Sequence, residues 1–187
     1  MKKLRIQYNA PVILTFALVS LGVLVLDFLT GGWTTQALFC VYRAPVTDPL
    51  TWVRMVGHVL GHGSYAHYLG NMMLLLVIGP PLEEKYGSGK LLFCILVTAL
   101  VSGLVQFLLF PGTALLGASG IVFMMILLSS LAGMREGAVP LTLILVAVLY
   151  LGGEVVDAVA LRDSVSQLTH IVGGLCGAGL GFAMKQA

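Results

Sequence analysis

The chain has 187 residues, 58% of them apolar and 10% charged, with a formal net charge of +2. So little charge excludes an ordinary soluble domain, and its Lys and Arg residues form no basic stripe, which excludes a nucleic-acid partner. The length bounds one compact domain over residues 1–187, and apolar runs recurring along it predict an integral membrane protein surrounded by membrane lipid.

Lys2, Lys3 and Arg5 precede the first apolar run, as at the start of a signal peptide. That run covers 12–29, long for a leader, and no small-x-small cleavage site follows, so it reads as a retained first span. No further domain is expected before it. Segment 30–67 is long for a bare connection and mixes Trp52, Val53, Met55, Val56, Val59 and Leu60 with polar residues. It is expected to form short helices that dip into the outer leaflet against the bundle. Five further spans are predicted over 68–82, 91–110, 118–134, 139–152 and 167–184. Spans two and five are short, and Pro80–Pro81 should bend or end span two. The fold class is therefore all-α, a bundle of six transmembrane helices with a structured first loop.

Placing both termini in the cytoplasm puts Lys2, Lys3, Arg5, Lys85, Lys90, Arg135 and Lys185 inside, and only Arg43, Arg54 and Arg162 outside. Trp33 and Tyr150 then mark the outer interface, and Tyr8 and Tyr86 the inner one. Cys94 and Cys176 lie in apolar runs as packing residues, Cys40 lies in the first loop, and no Cys-x-x-Cys supports a zinc or redox site. The short chain and minimal loops suggest a prokaryotic plasma membrane.

In this topology spans two, four and six all start at the outer face. His67 and Asn71 then lie near the start of span two, Ser119 at the start of span four, and His170 near the start of span six. Polar groups gathered at one membrane depth are costly, which favours a functional reason for them. Ser119 stands in Gly117-Ala118-Ser119-Gly120, where a helix start supplies free backbone N–H groups that can stabilise an oxyanion. A lone serine in a span is more often a packing residue that bonds its own backbone. This one is flanked by glycines that admit another backbone. His170 precedes Gly173, Gly177 and Gly181, a small-residue stripe that lets helices pack closely. Such packing could carry the imidazole to the serine as its base. His67 and Asn71, four apart, share a helix face and can both donate hydrogen bonds, either to an oxyanion or to tie the loop to span two. His58 and His62 are also four apart, but Val59 stands where a zinc protease would have glutamate, so the pair reads as fold support and no metal is expected.

His58-x-x-x-His62-x-x-x-x-His67-x-x-x-Asn71, Gly117-x-Ser119-Gly120 and His170-x-x-Gly173-x-x-x-Gly177, together with Glu83-x-x-x-Gly87, resemble the signature of the rhomboid proteases over residues 52–182. The resemblance implies a water-filled site opening outward and a catalytic dyad of Ser119 and His170 without a carboxylate. It implies an oxyanion hole from His67, Asn71 and the backbone of Ser119, and no cofactor. Gly117, Gly120, Phe123, Gly173 and Gly177 would support that site. The implied substrate is a single-span membrane protein cut in or near its transmembrane segment, admitted past span five and the loop after it. Two departures stand out. Phe123 replaces the tyrosine that stacks on the histidine in many relatives, and an adjacent Trp-Arg pair appears here as Trp52-Val53-Arg54. Glu154 and Asp157, at the outer end of span five, read as solvated loop charges rather than a third catalytic member.

The main alternative is a catalytically silent, rhomboid-like protein that binds membrane clients, although such a relative would be expected to lack the serine or the base. A transporter is disfavoured because the lower halves of spans four and six carry almost no polar groups.

Overall fold

The structure is a computed structural model that describes residues 6–132, 138–146, 148–149 and 164–185. Its elements run α1 (Pro11–Leu29), α2 (Trp33–Leu38), β1 (Val41–Tyr42), α3 (Pro49–Gly57), a 3₁₀ turn (His58–Leu60), α4 (Tyr65–Tyr86) and α5 (Ser88–Leu109). There follow β2 (Ala114–Leu115), α6 (Ser119–Leu131), α7 (Leu141–Val146) and α8 (Ser164–Lys185).

Among the described residues, α1 and α5 are long and apolar enough to cross a membrane, with mean hydropathies of 2.6 and 2.5. Helix α1 begins with Pro11, whose missing N–H would have had no helical partner in any case. The next two N–H groups, of Val12 and Ile13, donate to the two carboxylate oxygens of Glu83 at 3.0 and 3.1 Å. Ser88 Oγ donates to the same carboxylate at 2.6 Å. One buried side chain at the end of α4 therefore holds the starts of α1 and α5, and its negative charge suits a helix N-terminus.

The prolines do not end span two, as the sequence suggested they could. Pro80 and Pro81 leave the carbonyls of Leu76 and Val77 without helical donors, yet α4 continues to Tyr86. The last turn is held from outside itself, by the Glu83 contacts and by Leu82, which is buried in the core. The helix also begins three residues before the predicted span, because Ser64 caps it by accepting the N–H of His67 at 3.1 Å.

Helix α6 is the centre of the bundle, with ten of its thirteen residues buried. Helices α4, α5 and α8 surround it. The contact with α8 is close enough to require glycine. A Cβ on Gly173 would stand 2.1 Å from the carbonyl oxygen of Gly120, and one on Gly177 would stand 2.2 Å from that of Met124.

The segment between α1 and α4 is structured, and Arg54 anchors it. Its guanidinium is buried, donating to Asp48 Oδ2 at 2.8 Å, to the carbonyl of Ala37 at 3.1 Å and to Thr51 Oγ1 at 3.1 Å, with its face on the Tyr42 ring. Asp48 also caps α3 by accepting the N–H of Leu50, and the Arg54 guanidinium holds its carboxyl below the usual range. Trp52 is half exposed and donates to the Val46 carbonyl. The Arg of Trp52-Val53-Arg54 thus points inward while the Trp points out, as their spacing on a helix allows.

Predicted span four ends at 134 and span five runs over 139–152. Residues 133–137, 147 and 150–152 lie outside the described residues, as do Glu154 and Asp157.

Candidate active site

The route to the site begins at β1 and β2. Val41 pairs with Leu115 and Tyr42 with Ala114, antiparallel, which fixes the chain just before α6. Gly117 follows. Its N–H donates to the carbonyl of His58 at 2.9 Å, and its φ of 120° is a conformation that favours glycine. A Cβ there would lie 2.7 Å from Nε2 of His67 and 3.8 Å from Nδ2 of Asn71. The absence of a side chain at Gly117 is therefore what lets His67 approach the strand that leads to Ser119, whereas Asn71 would tolerate one.

Ser119 is the first residue of α6, with Ala118 as its cap, so no side chain takes the first N–H groups of the helix. Ser119 is partly buried and lines a cavity of about 420 Å³. His67, Asn71, Phe123 and His170 line the same cavity. Three helices converge there: α4 brings His67 and Asn71, α6 brings Ser119 and Phe123, and α8 brings His170. Gly70 and Leu74 on α4, Leu115 and Leu116 before α6, and Val122 on α6 complete an otherwise apolar wall. Sequence reasoning did not single these residues out. Gly70 and Leu74, three residues after His67 and three after Asn71, could have been found by extending that helix face.

The imidazole of His170 stacks on the Phe123 ring, with centroids 4.3 Å apart and planes 6° from parallel. A phenyl ring thus occupies the stacking position without a hydroxyl. Gly120 makes room for Thr169, whose Cγ2 would lie 3.3 Å from a Cβ on that glycine. Two of the glycine contacts, Gly173 with Gly120 and Gly177 with Met124, hold the first turns of α6 and the middle of α8 at backbone contact distance. Asn71 is 8% exposed, and no acceptor among the described residues reaches its Nδ2. A buried amide donor of this kind favours any ligand that brings an oxygen to it.

His58 and His62 sit beside the site rather than in it. They do not share a helix face, because the chain leaves the 3₁₀ turn at Leu60 and runs extended at Gly61. His58 Nε2 donates to the carbonyl of Ala99 at 3.1 Å, tying the first loop to α5. His62 Nδ1 donates to the carbonyl of Leu60 at 3.1 Å, and its ring meets those of His67 and Tyr68 edge-on at 5.1 and 5.5 Å. Burial pushes both imidazoles down to about 4, so they are neutral at pH 7. Two neutral rings, each with one nitrogen committed to a carbonyl, brace the loop that meets His67 and Gly117.

The family model described as Rhomboid domain matches residues 49–187. Rhomboid protease GlpG of Pectobacterium atrosepticum is 31% identical over 175 residues, covering 91% of this chain and 62% of that protein. Rhomboid protease GlpG of Serratia proteamaculans is 32% identical over 128 residues, covering 66% of this chain and 45% of that protein. Rhomboid-like protein 15 of Arabidopsis thaliana is 28% identical over 186 residues, covering 91% of this chain and 46% of that protein. The chain spans less than two thirds of the length of these curated relatives. With a domain match over most of its length, and with the glycine-packed helical architecture described above, this chain belongs to the rhomboid family of integral membrane proteins.

Proposed function

We propose that this chain is an intramembrane serine endopeptidase that cuts single-span membrane proteins in or near their transmembrane segment. The observation that carries the reading is one cavity lined by Ser119, His170, His67 and Asn71. A hydroxyl, an imidazole and two hydrogen-bond donors are what acyl transfer at neutral pH requires.

In this reading His170 accepts the Ser119 proton as Oγ attacks the scissile carbonyl. The tetrahedral oxyanion takes hydrogen bonds from the Ser119 backbone N–H, from Asn71 Nδ2 and from His67 Nε2. His170 then gives its proton to the departing amine, leaving an acyl ester on Ser119. Water entering from the outer face gives a proton to His170 and its oxygen to the ester carbonyl. Collapse of the second tetrahedral species releases the acid and returns the proton to Ser119. Gly117, Gly120, Gly173 and Gly177 position the reacting groups, and Phe123 holds the plane of the imidazole. The bundle has six spans with both termini cytoplasmic, in a plasma membrane of prokaryotic type, and the chemistry uses neither metal nor cofactor.

The test is cleavage of a panel of single-span substrates in liposomes, run beside fluorophosphonate labelling, for the wild type and Ser119→Ala. Cleavage and labelling are expected in the wild type and neither in the variant. Cleavage that survives in Ser119→Ala would refute the nucleophile. A folded wild type that neither cleaves nor labels would mark the chain as a client-binding rhomboid-like protein instead.

A further inference from the structure

Glycine inside a helix is destabilising relative to alanine, so each one calls for a compensating contact. Four of the helical glycines have one in a neighbouring element. A Cβ on Gly79 would run into the Ile13 side chain of α1, and one on Gly103 into the Met55 carbonyl of α3. Those on Gly173 and Gly177 would run into the Gly120 and Met124 carbonyls of α6. Gly70, in the interior of α4, differs. A Cβ there meets no atom of the described residues within 4 Å. What Gly70 does face is the cavity that Ser119 lines.

Ala66, His67, Gly70, Asn71 and Leu74 are the α4 residues on that wall. At about 100° per residue they cover an arc of about 140°, with Gly70 inside the arc and on the middle one of its three turns. A side chain at this position would project into the cavity, one turn from His67 and one turn from Leu74.

The next residue along supplies a second, independent observation. Asn71 lines the same cavity, is 8% exposed, and its Nδ2 has no acceptor among the described residues. A buried donor in that state favours a ligand that brings an oxygen to it, as a peptide carbonyl does. The wall around that donor is apolar, with Leu74, Leu115 and Val122. We infer that Gly70 is a specificity-determining residue, whose missing side chain leaves the space that receives a large apolar side chain of the substrate beside the bond to be cut. The inference rests on the peptidase reading above, which supplies that bond. The apolar wall selects an aromatic or branched aliphatic side chain over a charged one, because a charge buried there would have no partner on the wall. The residue at 70 and the substrate side chain occupy one space, so enlarging the first should exclude the second.

The test uses the whole chain in liposomes and a single-span substrate made with Phe or Ala at each residue flanking the scissile bond in turn. Cleavage is measured for the wild type, Gly70→Ala and Gly70→Leu. Binding of the same uncut proteins is measured by energy transfer with each residue at 70 in a Ser119→Ala chain. At one flanking position the wild type should take the Phe form at least as well as the Ala form. Gly70→Leu should lower that Phe-to-Ala ratio of kcat/KM at least tenfold, the discrimination about one methylene gives in an apolar pocket, with Gly70→Ala in between. Binding should follow the same order, and Gly70→Ala should unfold no earlier than the wild type. The inference is overturned if the wild type rejects Phe at every position or if the ratio is the same for all three residues at 70. It is also overturned if Gly70→Ala unfolds earlier, which would give the glycine to packing. An unmoved ratio beside normal cleavage would leave the peptidase reading standing. Size discrimination in binding without any cleavage would refute that reading and keep Gly70 as the filter for a bound membrane protein.

Discussion

Replacing Gly173 with alanine tests whether helix contact sets the position of the site. The added Cβ would stand 2.1 Å from the Gly120 carbonyl oxygen and 2.8 and 2.9 Å from its carbonyl carbon and Cα, all backbone. No rotamer can relieve such a contact, so the two helices must separate by about 1 Å, with an overpacking cost of about 1–3 kcal/mol. Gly120 follows Ser119, so the displacement falls on the first turn of α6. A misplacement of about 1 Å between reacting groups costs about 100-fold in rate. Gly179→Ala is the control on the same helix, because nothing lies within 4 Å of its Cβ. Fluorophosphonate labelling rates and substrate cleavage in liposomes, read beside thermal unfolding, would measure both effects. Gly173→Ala should label about 100-fold more slowly and unfold earlier, and Gly179→Ala should match the wild type. A Gly173→Ala protein that labels within twofold of the wild type and unfolds at the same temperature would refute the argument.

Three further outcomes follow from the same contacts. Phe123→Tyr should retain cleavage because the stacking surface is preserved. Phe123→Ala should lower the rate by about 2- to 13-fold, given about 0.5–1.5 kcal/mol for an aromatic pair, and its KM should change little if the ring only holds the imidazole. Glu83→Ala leaves two N–H groups at the start of α1 and the Ser88 hydroxyl without their acceptor, and should cost about 2–3 kcal/mol in detergent unfolding, against less than about 0.5 kcal/mol for Glu84→Ala. Stability should also fall in mild acid. His58 and His62 have native values of about 4 against 6.5 when unfolded, so the unfolded chain binds protons first as pH drops. The stabilisation is complete above pH 6.5 and is lost on the way down to pH 4, about 3 kcal/mol from the fully buried His58. A stability profile that is flat from pH 7 to pH 4.5 would refute this assignment.

The start of α6 could be read because Gly117-Ala118-Ser119-Gly120 interrupts an apolar stretch with residues that suit a turn, and the helix begins at Ser119. The close approach of α8 could be read from the spacing of Gly173 and Gly177, since a row of small residues has one main use between helices. The pairing of Val41–Tyr42 with Ala114–Leu115 could not, because two-residue strands far apart in sequence carry no periodic signal. Nor could the inward turn of Arg54, which depends on Asp48, Ala37 and Tyr42 arriving from three places at once. That α4 does not end at Pro80–Pro81 could not be read for a related reason. A local breaker gives way when the residues beyond it, here Leu82 and Glu83, are held by other helices.

The proposed pairing of Ser119 with His170, without a carboxylate among the described residues that line the cavity, poses a physical problem that packing can answer. In a triad the third group orients the imidazole and favours its protonated form. Among the described residues no Asp or Glu lines the cavity. In the proposed reading the described walls contribute that orientation. The Phe123 ring fixes the plane of His170. The Gly173–Gly120 contact fixes its height against Ser119. Both contacts are carried by α6, ten of whose thirteen residues are buried, so the proposed nucleophile and the ring stacked on its proposed base share one element. In the proposed mechanism Asn71, His67 and the first N–H groups of α6 stabilise the oxyanion, and loss of Asn71 Nδ2 should cost on the order of 100-fold in rate. An Asn71→Ala chain that cleaves as fast as the wild type would move that role elsewhere in the cavity.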